Sequence, residues 1–206
     1  MKLAKDGIPT ITCLALITGL FAFIHPVPAG VMVVLTGFVI WFYRDPDRSL
    51  PEGEGLVVSP ADGKVVEIQA DAHPFTGEAL KVGIFMDVFS VHVNRSPCEG
   101  TVEYLKYVPG KKIAAFAPKA SEVNERHYVG LATPYGPVLL VQIAGLLARR
   151  IVCRVKRGNT LSAGERYGMI KLGSKVDIYL PKSVKLSVKV GDKVYAGKSS
   201  LGVMSE

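Results

Sequence analysis

The most restrictive feature of this sequence is an apolar stretch near its N-terminus, because no Asp, Glu, Lys or Arg occurs from Ile8 to Tyr43. A membrane-spanning helix needs about 20 apolar residues, and the Pro-rich segment His25–Pro28 divides the stretch into two slightly shorter runs. Since proline interrupts the helical hydrogen-bond ladder, we expect two helices joined by a turn. The stretch therefore predicts a membrane hairpin over residues 1–43, and not a signal peptide, whose apolar core is shorter.

Positive charge flanks both outer ends of this stretch. Lys2 and Lys5 precede it, and Arg44 and Arg48 follow it. Since Lys and Arg favour the cytoplasmic side of a membrane, we expect both ends of the hairpin, and the domain that follows, on the cytoplasmic side of the cell membrane. The alternative is a hairpin buried in a soluble core, which so long an uncharged stretch disfavours in a chain of 206 residues.

Composition excludes several classes of protein. The chain has 25 Lys and Arg against 18 Asp and Glu, and its three cysteines, Cys13, Cys98 and Cys153, stand singly. The absence of a Cys-x-x-Cys pair excludes a zinc ribbon, and the sequence indicates no other metal site. An odd, sparse set of cysteines argues against a disulfide framework and favours a reducing compartment.

The sequence after residue 55 is typical of a mainly β fold. Short runs of β-branched and aromatic residues are separated by turns rich in Gly, Pro, Asn and Asp. The predicted strands include Leu56–Val58, Gly63–Ile68, Leu80–Phe85, Gly100–Leu105, Val138–Ile143 and Val176–Leu180. We therefore expect a linker over residues 44–55 and a β-rich domain over residues 56–206.

Two segments of this domain resemble each other. Val57–Val65 and Val188–Gly197 each favour a strand, a tight turn and a second strand, as in the halves of a biotinyl or lipoyl carrier domain. This similarity predicts a hammerhead- or barrel-like architecture. A carrier needs a modifiable lysine at a hairpin tip, and Lys171 is the nearest candidate, although the usual Met-Lys-Met tip is absent. A non-enzymatic, membrane-tethered carrier domain is therefore one alternative.

A dense basic cluster lies in the second half of the chain. Its members are Arg149, Arg150, Arg154, Lys156 and Arg157. Basic and apolar residues alternate here, which predicts a strand. Beside a membrane anchor the cluster would attract anionic headgroups, whereas nucleic acid is disfavoured because no aromatic residues are interleaved with it.

The Gly173-Ser174 dipeptide is the candidate for covalent chemistry. On its own it indicates only a hairpin turn. A serine after a conformationally free glycine can also attack the preceding carbonyl, provided that a base accepts its proton. Asp62, which lies in a Pro-Ala-Asp-Gly turn, is a candidate acid, and the candidate bases are His92 and the other histidines, His25, His73 and His127, although such residues are more often structural.

Taken together, these motifs resemble those of phosphatidylserine decarboxylases of the short, membrane-anchored proenzyme type. The resemblance covers nearly the whole chain, and the order of the motifs is more specific than any one of them. The matching segments are the apolar hairpin, Arg44–Pro46, Ser59–Gly63, Val91–Pro97, Asn124–Arg126 and Gly164–Asp177.

The resemblance implies an enzyme that makes a covalent pyruvoyl cofactor from its own Ser174. Cleavage between Gly173 and Ser174 would leave two associated fragments, residues 1–173 and 174–206. The pyruvoyl carbonyl would condense with the serine amine of phosphatidylserine, and loss of CO2 would give phosphatidylethanolamine. Such a substrate implies contact with a membrane. An archaeal-type ether lipid is an alternative substrate, and a homo-oligomer is left open.

The resemblance also implies roles for neighbouring residues. His92 would be the base in self-cleavage or the acid that protonates the carbanion, with Asp62 orienting it. Longer family members carry a second histidine in this motif. Here Arg95 stands in its place, so that either His92 serves both steps or Arg95 binds phosphate or carboxylate. Lys175 follows Ser174 where longer members have Ser or Thr, and it either assists substrate binding or is merely exposed.

Overall fold

The computed structural model describes residues 2–111, 113–115, 117, 119–146, 150–171 and 173–205. The chain divides into two compact units, Met1–Asp47 and Arg48–Glu206. Residues 44–47 lie in the first unit, where the Asp45 amide donates to the Lys2 carbonyl at 2.8 Å.

Two apolar helices form the first unit, as the sequence predicts. A 3-10 turn at Lys5–Gly7 leads into α1 (Ile8–Ile24), and α2 spans Pro26–Phe42. His25 is extended between the helices, and its ring Nδ1 accepts a hydrogen bond from the Val27 amide at 3.2 Å, which caps α2. The Oγ1 atoms of Thr18 and Thr36 lie 2.9 Å apart, so the two helices pack side by side as a hairpin.

One helical segment of the described chain, Lys5–Ile24, is long and apolar enough to cross a membrane by length and composition. Its 20 residues correspond to about 30 Å of helix, the thickness of a bilayer core. Pro26–Phe42 is equally apolar but shorter. The first unit thus gives weak support to membrane association.

The second unit is mainly β, which confirms the predicted fold class. Its strands are β1 (Leu56–Val58), β2 (Gly63–His73), β3 (Gly77–Met86), β4 (Val93–Arg95), β5 (Gly100–Val108), β6 (Arg126–Thr133), β7 (Gly136–Ala144), β8 (Ile151–Cys153), β9 (Thr160–Leu161), β10 (Arg166–Ile170), β11 (Ser174–Pro181), β12 (Lys185–Leu186), β13 (Lys193–Val194) and β14 (Ser200–Val203). A short helix, α3 (Ala120–Val123), precedes β6. All six predicted strands named above are present; β1 has its predicted bounds, and the other five extend beyond theirs.

The strands form three antiparallel sheets. The largest is a curled sheet in the order β13-β2-β3-β11-β7-β6-β5-β9, and the smaller ones are β1-β14-β12 and β4-β10-β8. The two similar segments of the sequence meet in the large sheet, where Lys193 pairs with Lys64 and Val194 with Gly63. Strand β11 is central, since it pairs with β3 on one side and β7 on the other.

The alternation of β11 decides where its side chains go. Val176, Ile178 and Leu180 are fully buried in the main core, which also includes residues of both small sheets. Burial of one such side chain contributes about 1.5–3 kcal/mol. Because successive residues of a strand face opposite sides, Ser174 shares the core face, whereas Lys175 lies on the opposite face.

Candidate active site

Ser174 is the first residue of β11 and is fully buried. It pairs with Met86 of β3 and with Ala144 of β7. Its Oγ lies 3.4 Å from the thioether sulfur of Met86 and donates a weak hydrogen bond to it. The Gly173-Ser174 dipeptide is therefore not an exposed hairpin turn, and its serine begins a buried central strand.

Gly173 turns the chain into this strand with a φ of +57°. This is the left-handed region, which glycine adopts without the steric penalty that a Cβ brings. A Cβ at this position would meet nothing within 4 Å. Backbone conformation, and not lack of space, therefore requires glycine immediately before the serine.

His92 is fully buried just before β4. Its Nδ1 lies 2.9 Å from the carbonyl oxygen of Ser90. Because a carbonyl oxygen only accepts hydrogen bonds, Nδ1 carries a proton, and in the neutral ring Nε2 is then the basic nitrogen. This tautomer suits a histidine that accepts a proton through Nε2.

A buried polar chain connects the strand after His92 with Ser174. Asn94 Nδ2 lies 3.7 Å from the same Met86 sulfur that Ser174 contacts, and Gln142 Nε2 donates to Asn94 Oδ1 at 2.9 Å. Sequence reasoning did not select Met86, Asn94 or Gln142 as site residues. Gln142 could have been found as a lone polar residue in the apolar run Val138–Ala144, and Asn94 from its place in the His92 motif.

Asp62 lies in the turn between β1 and β2, and both of its carboxylate oxygens accept hydrogen bonds. Arg48 donates to Oδ2 at 2.8 Å, and the Ala196 amide donates to Oδ1 at 2.8 Å. The turn lies beside the strand after His92, since the Arg95 amide donates to the Pro60 carbonyl at 2.9 Å. Asp62 therefore anchors the turn next to the His92 motif, and its orienting role stays a prediction.

Arg95 lies at the end of β4 with only 6% of its surface exposed. Its Nη1 donates to the Gly164 carbonyl at 3.0 Å. A Cβ on Gly197 would lie 3.0 Å from the Arg95 Cδ, so the side chain runs closely along this loop. These contacts give Arg95 a part in holding the loops together, and substrate binding by it stays a prediction.

Lys175 is buried and lies on the sheet face opposite Ser174. Its Nζ forms an ion pair with Glu67 at 2.5 Å and with Asp177 at 3.0 Å, and lies 3.1 Å from Ser121 Oγ. Ser121 in turn donates to Asp177 Oδ2 at 2.9 Å. The side chain is therefore neither merely exposed nor on the core face.

The acidic partners of Lys175 respond differently to this environment. Burial raises the pKa of Asp177 above its ordinary value, and the nearby Lys175 and Ser121 offset this only in part. Burial also opposes ionisation of Glu67, but hydrogen bonds from Lys175 and Lys81 outweigh it and lower the pKa of Glu67.

A cavity of about 770 Å³ opens on this face of the sheet and is lined by Glu67, Lys81 and Lys175.

The basic cluster is only partly a strand. β8 covers Ile151–Cys153, shorter than the alternation predicts, and Arg150, Arg154, Lys156 and Arg157 are exposed. Arg149 lies outside the described residues.

Within the described chain, no group of three or more His, Cys, Asp and Glu residues could hold a metal ion.

The family model and the relatives that match this chain carry the same family name. The family model described as phosphatidylserine decarboxylase matches residues 35–202. A phosphatidylserine decarboxylase proenzyme of Syntrophus aciditrophicus is 46% identical over 205 residues, covering 97% of this chain and 96% of the relative. Proenzymes of the same name from Symbiobacterium thermophilum and Solidesulfovibrio magneticus are 45% and 48% identical, each covering 97% of this chain and 94% of the relative.

Proposed function

The chain belongs to the phosphatidylserine decarboxylase family, and we propose that it converts phosphatidylserine to phosphatidylethanolamine with a pyruvoyl group made from its own Ser174. It is thus a lyase. The observation that carries the proposal is the position of Ser174, a buried serine that begins a central strand directly after a left-handed glycine.

Self-cleavage would begin with attack of Ser174 Oγ on the Gly173 carbonyl carbon. The C–N bond breaks as the ester C–O bond forms, and the hydroxyl proton passes to the released nitrogen. Loss of the Ser174 Cα proton then expels the Gly173 carboxylate by breaking the Cβ–Oγ bond. Water hydrolyses the resulting dehydroalanine to a pyruvoyl group and ammonia, which balances the reaction.

The surroundings of residue 174 fit such a group. The residue is fully buried between Met86 and Ala144, so that a keto carbonyl made there would be shielded from bulk water until substrate enters. When present, the pyruvoyl group supplies a carbonyl that captures the substrate amine and accepts electrons as CO2 leaves.

The remaining roles in this proposal fall to the other site residues that the sequence predicts. His92 Nε2 accepts the proton of the Ser174 hydroxyl during self-cleavage, and the same nitrogen returns a proton to the substrate carbon after CO2 has left. Asp62 keeps the neighbouring turn in place and orients His92. Arg95 and Lys175 remain the candidates for contact with the phosphate or carboxylate of the headgroup.

Strand pairing would keep the two fragments together after cleavage. In the fragment 174–206, β11 pairs with β3 from Ser174–Met86 to Pro181–Ala79, and with β7 from Ser174–Ala144 to Tyr179–Leu139. The same fragment also contains β13, which pairs with β2, and β14, which pairs with β1. The cleaved enzyme would therefore be a non-covalent complex of both chains.

A lipid substrate would also explain why the first unit is apolar. We propose that residues 1–43 anchor the enzyme in the cell membrane, with residues 56–206 as the catalytic domain on the cytoplasmic side. The exposed basic cluster would then attract anionic phosphatidylserine to the surface.

The test compares purified wild type with Ser174→Ala in vesicles that contain phosphatidylserine. The wild type should run as two fragments on a denaturing gel and release CO2, whereas Ser174→Ala should stay intact and inactive. Parallel vesicles with an ether-linked phosphoserine lipid test the alternative substrate. CO2 release by Ser174→Ala, or an intact wild type, would refute the proposal.

A further inference from the structure

Gly145 lies directly after β7, at the point where this strand passes the cleavage site. A Cβ added at Gly145 would lie 2.0 Å from the carbonyl oxygen of Gly173 and 2.9 Å from its carbonyl carbon. Real side chains essentially never approach backbone atoms this closely. The carbonyl group that Ser174 is proposed to attack therefore occupies the space of the missing side chain.

Gly145 and Gly173 are glycines for different reasons. The φ of Gly173 is in the left-handed region, and a Cβ there would meet no neighbour. Gly145 does not have a left-handed φ, so its φ does not require glycine. Crowding by the Gly173 carbonyl, and to a smaller extent by the Ala115 Cβ, excludes a side chain at position 145.

The backbone next to Gly145 is fixed and cannot easily move away. The Ala144 amide donates to the Glu125 carbonyl at 2.9 Å, and the Ala144 carbonyl accepts from Asn124 Nδ2 at 2.7 Å. Ala115 closes the same space, since its Cβ lies 3.1 Å from where a Gly145 Cβ would be. A methyl group at position 145 would therefore displace the Gly173 carbonyl and not β7.

We propose that Gly145 is a positioning residue for self-cleavage, which holds the Gly173 carbonyl where Ser174 Oγ can attack it. This inference rests on the proposed function. A displaced carbonyl would change the distance and direction of attack, and errors of about 1 Å can slow a positioned reaction by about a hundredfold. The affected step is formation of the ester, before any later elimination.

The test is a time course of cleavage for full-length chains made by cell-free translation with phospholipid vesicles. Gly145→Ala is compared with wild type and with Gly202→Ala, a matched control. A Cβ at Gly202 would also meet a backbone carbonyl, that of Lys185 at 2.4 Å, but in the β1-β14-β12 sheet. Hydroxylamine, which cuts esters, reports on the first step separately.

We expect Gly145→Ala to cleave at least about tenfold more slowly than wild type, with no fragment released by hydroxylamine, and Gly202→Ala to cleave like wild type. Cleavage of Gly145→Ala at the wild-type rate would overturn the inference. So would equal slowing in Gly202→Ala, or hydroxylamine release at the wild-type level. An intact wild type would instead overturn the proposed function, and this inference with it.

Chains that cannot cleave provide the control for correct folding. Gly145→Ala and Gly202→Ala are each combined with Ser174→Ala and compared by limited proteolysis. Both combinations should resist the protease like Ser174→Ala alone. Selective unfolding of the Gly145→Ala combination would assign Gly145 a packing role and overturn the inference.

Discussion

The hydroxyl oxygen of Ser174 lies 3.4 Å from the sulfur of Met86, on the neighbouring strand β3. A thioether is a weak hydrogen-bond acceptor, so this contact orients the hydroxyl without holding its proton firmly. Little free energy is needed to break this hydrogen bond when a base approaches the hydroxyl group. In the proposed self-cleavage, this pair would keep the buried serine ready to act as a nucleophile.

Replacement of Met86 by Leu tests this orientation. The two side chains have similar volumes, so we expect a stability loss below about 1.5 kcal/mol. Cleavage should slow by about 2- to 10-fold, the range for loss of one hydrogen bond. The half-time on denaturing gels and the melting temperature measure the two effects, and unchanged cleavage would show that the sulfur contact is incidental.

His92→Gln removes the proposed base while retaining a polar side chain. Self-cleavage should fall by at least about a hundredfold, the contribution of a positioned base. His127→Gln is the control, because His127 is a half-buried histidine on β6, and it should cleave normally. If the two variants cleaved at the same rate in the gel assay, His92 would not be the base in self-cleavage.

Lys175→Met separates a structural from a substrate-binding role. Loss of this cation leaves the buried Asp177 without its ion-pair partner, whereas Glu67 keeps its ion pair with Lys81. The uncleaved Ser174→Ala chain should therefore be destabilised by about 3 kcal/mol in urea unfolding. Lys182→Met breaks an exposed ion pair with Glu78 and should change little. A raised KM in cleaved enzyme, with stability unchanged, would favour headgroup binding by Lys175 instead.

The lowered pKa of Glu67 indicates that the fold loses part of its stability in acid. Its pKa in the folded state is lowered below the ordinary value of 4.5. A carboxyl of this kind stabilises the fold above its unfolded pKa, and that stability is lost as pH falls through the folded pKa. Below pH 4.5 the melting temperature of the Ser174→Ala chain should fall more steeply than that of Glu67→Gln/Ser174→Ala. Parallel curves would contradict this assignment.

Charge reversal tests the basic cluster. Lys156→Glu/Arg157→Glu should lower decarboxylation on phosphatidylserine vesicles at low salt, and the deficit should shrink at high salt because ions screen the attraction. Lys185→Glu/Lys189→Glu changes two other exposed lysines by the same charge. If the first pair left activity unchanged at both salt concentrations, the cluster would not face the membrane.

Local patterns predicted much of this molecule. Prolines between two uncharged runs predicted the helical hairpin, and β-branched runs predicted strands such as Val176–Leu180, now part of β11. Ser174 could be found as the candidate site because the motifs of the chain together resemble those of a known family, whereas the Gly173-Ser174 dipeptide on its own indicates only a turn.

Contacts between distant segments could not be predicted in the same way. Met86, Asn94 and Gln142 meet near Ser174 only because β3, β4 and β7 are brought together by long-range pairing. Likewise, the environment of Lys175 depends on the register that places Glu67 beside it. Local propensity contains neither the strand order nor this register.

The most direct measurement is the intact mass of the purified wild-type protein after denaturation. We expect two chains, residues 1–173 and residues 174–206, with the smaller lighter by one ammonia than a fragment that begins with serine. A single chain with the full mass of 22.2 kDa, unreactive toward carbonyl-trapping amines, would contradict the central claim.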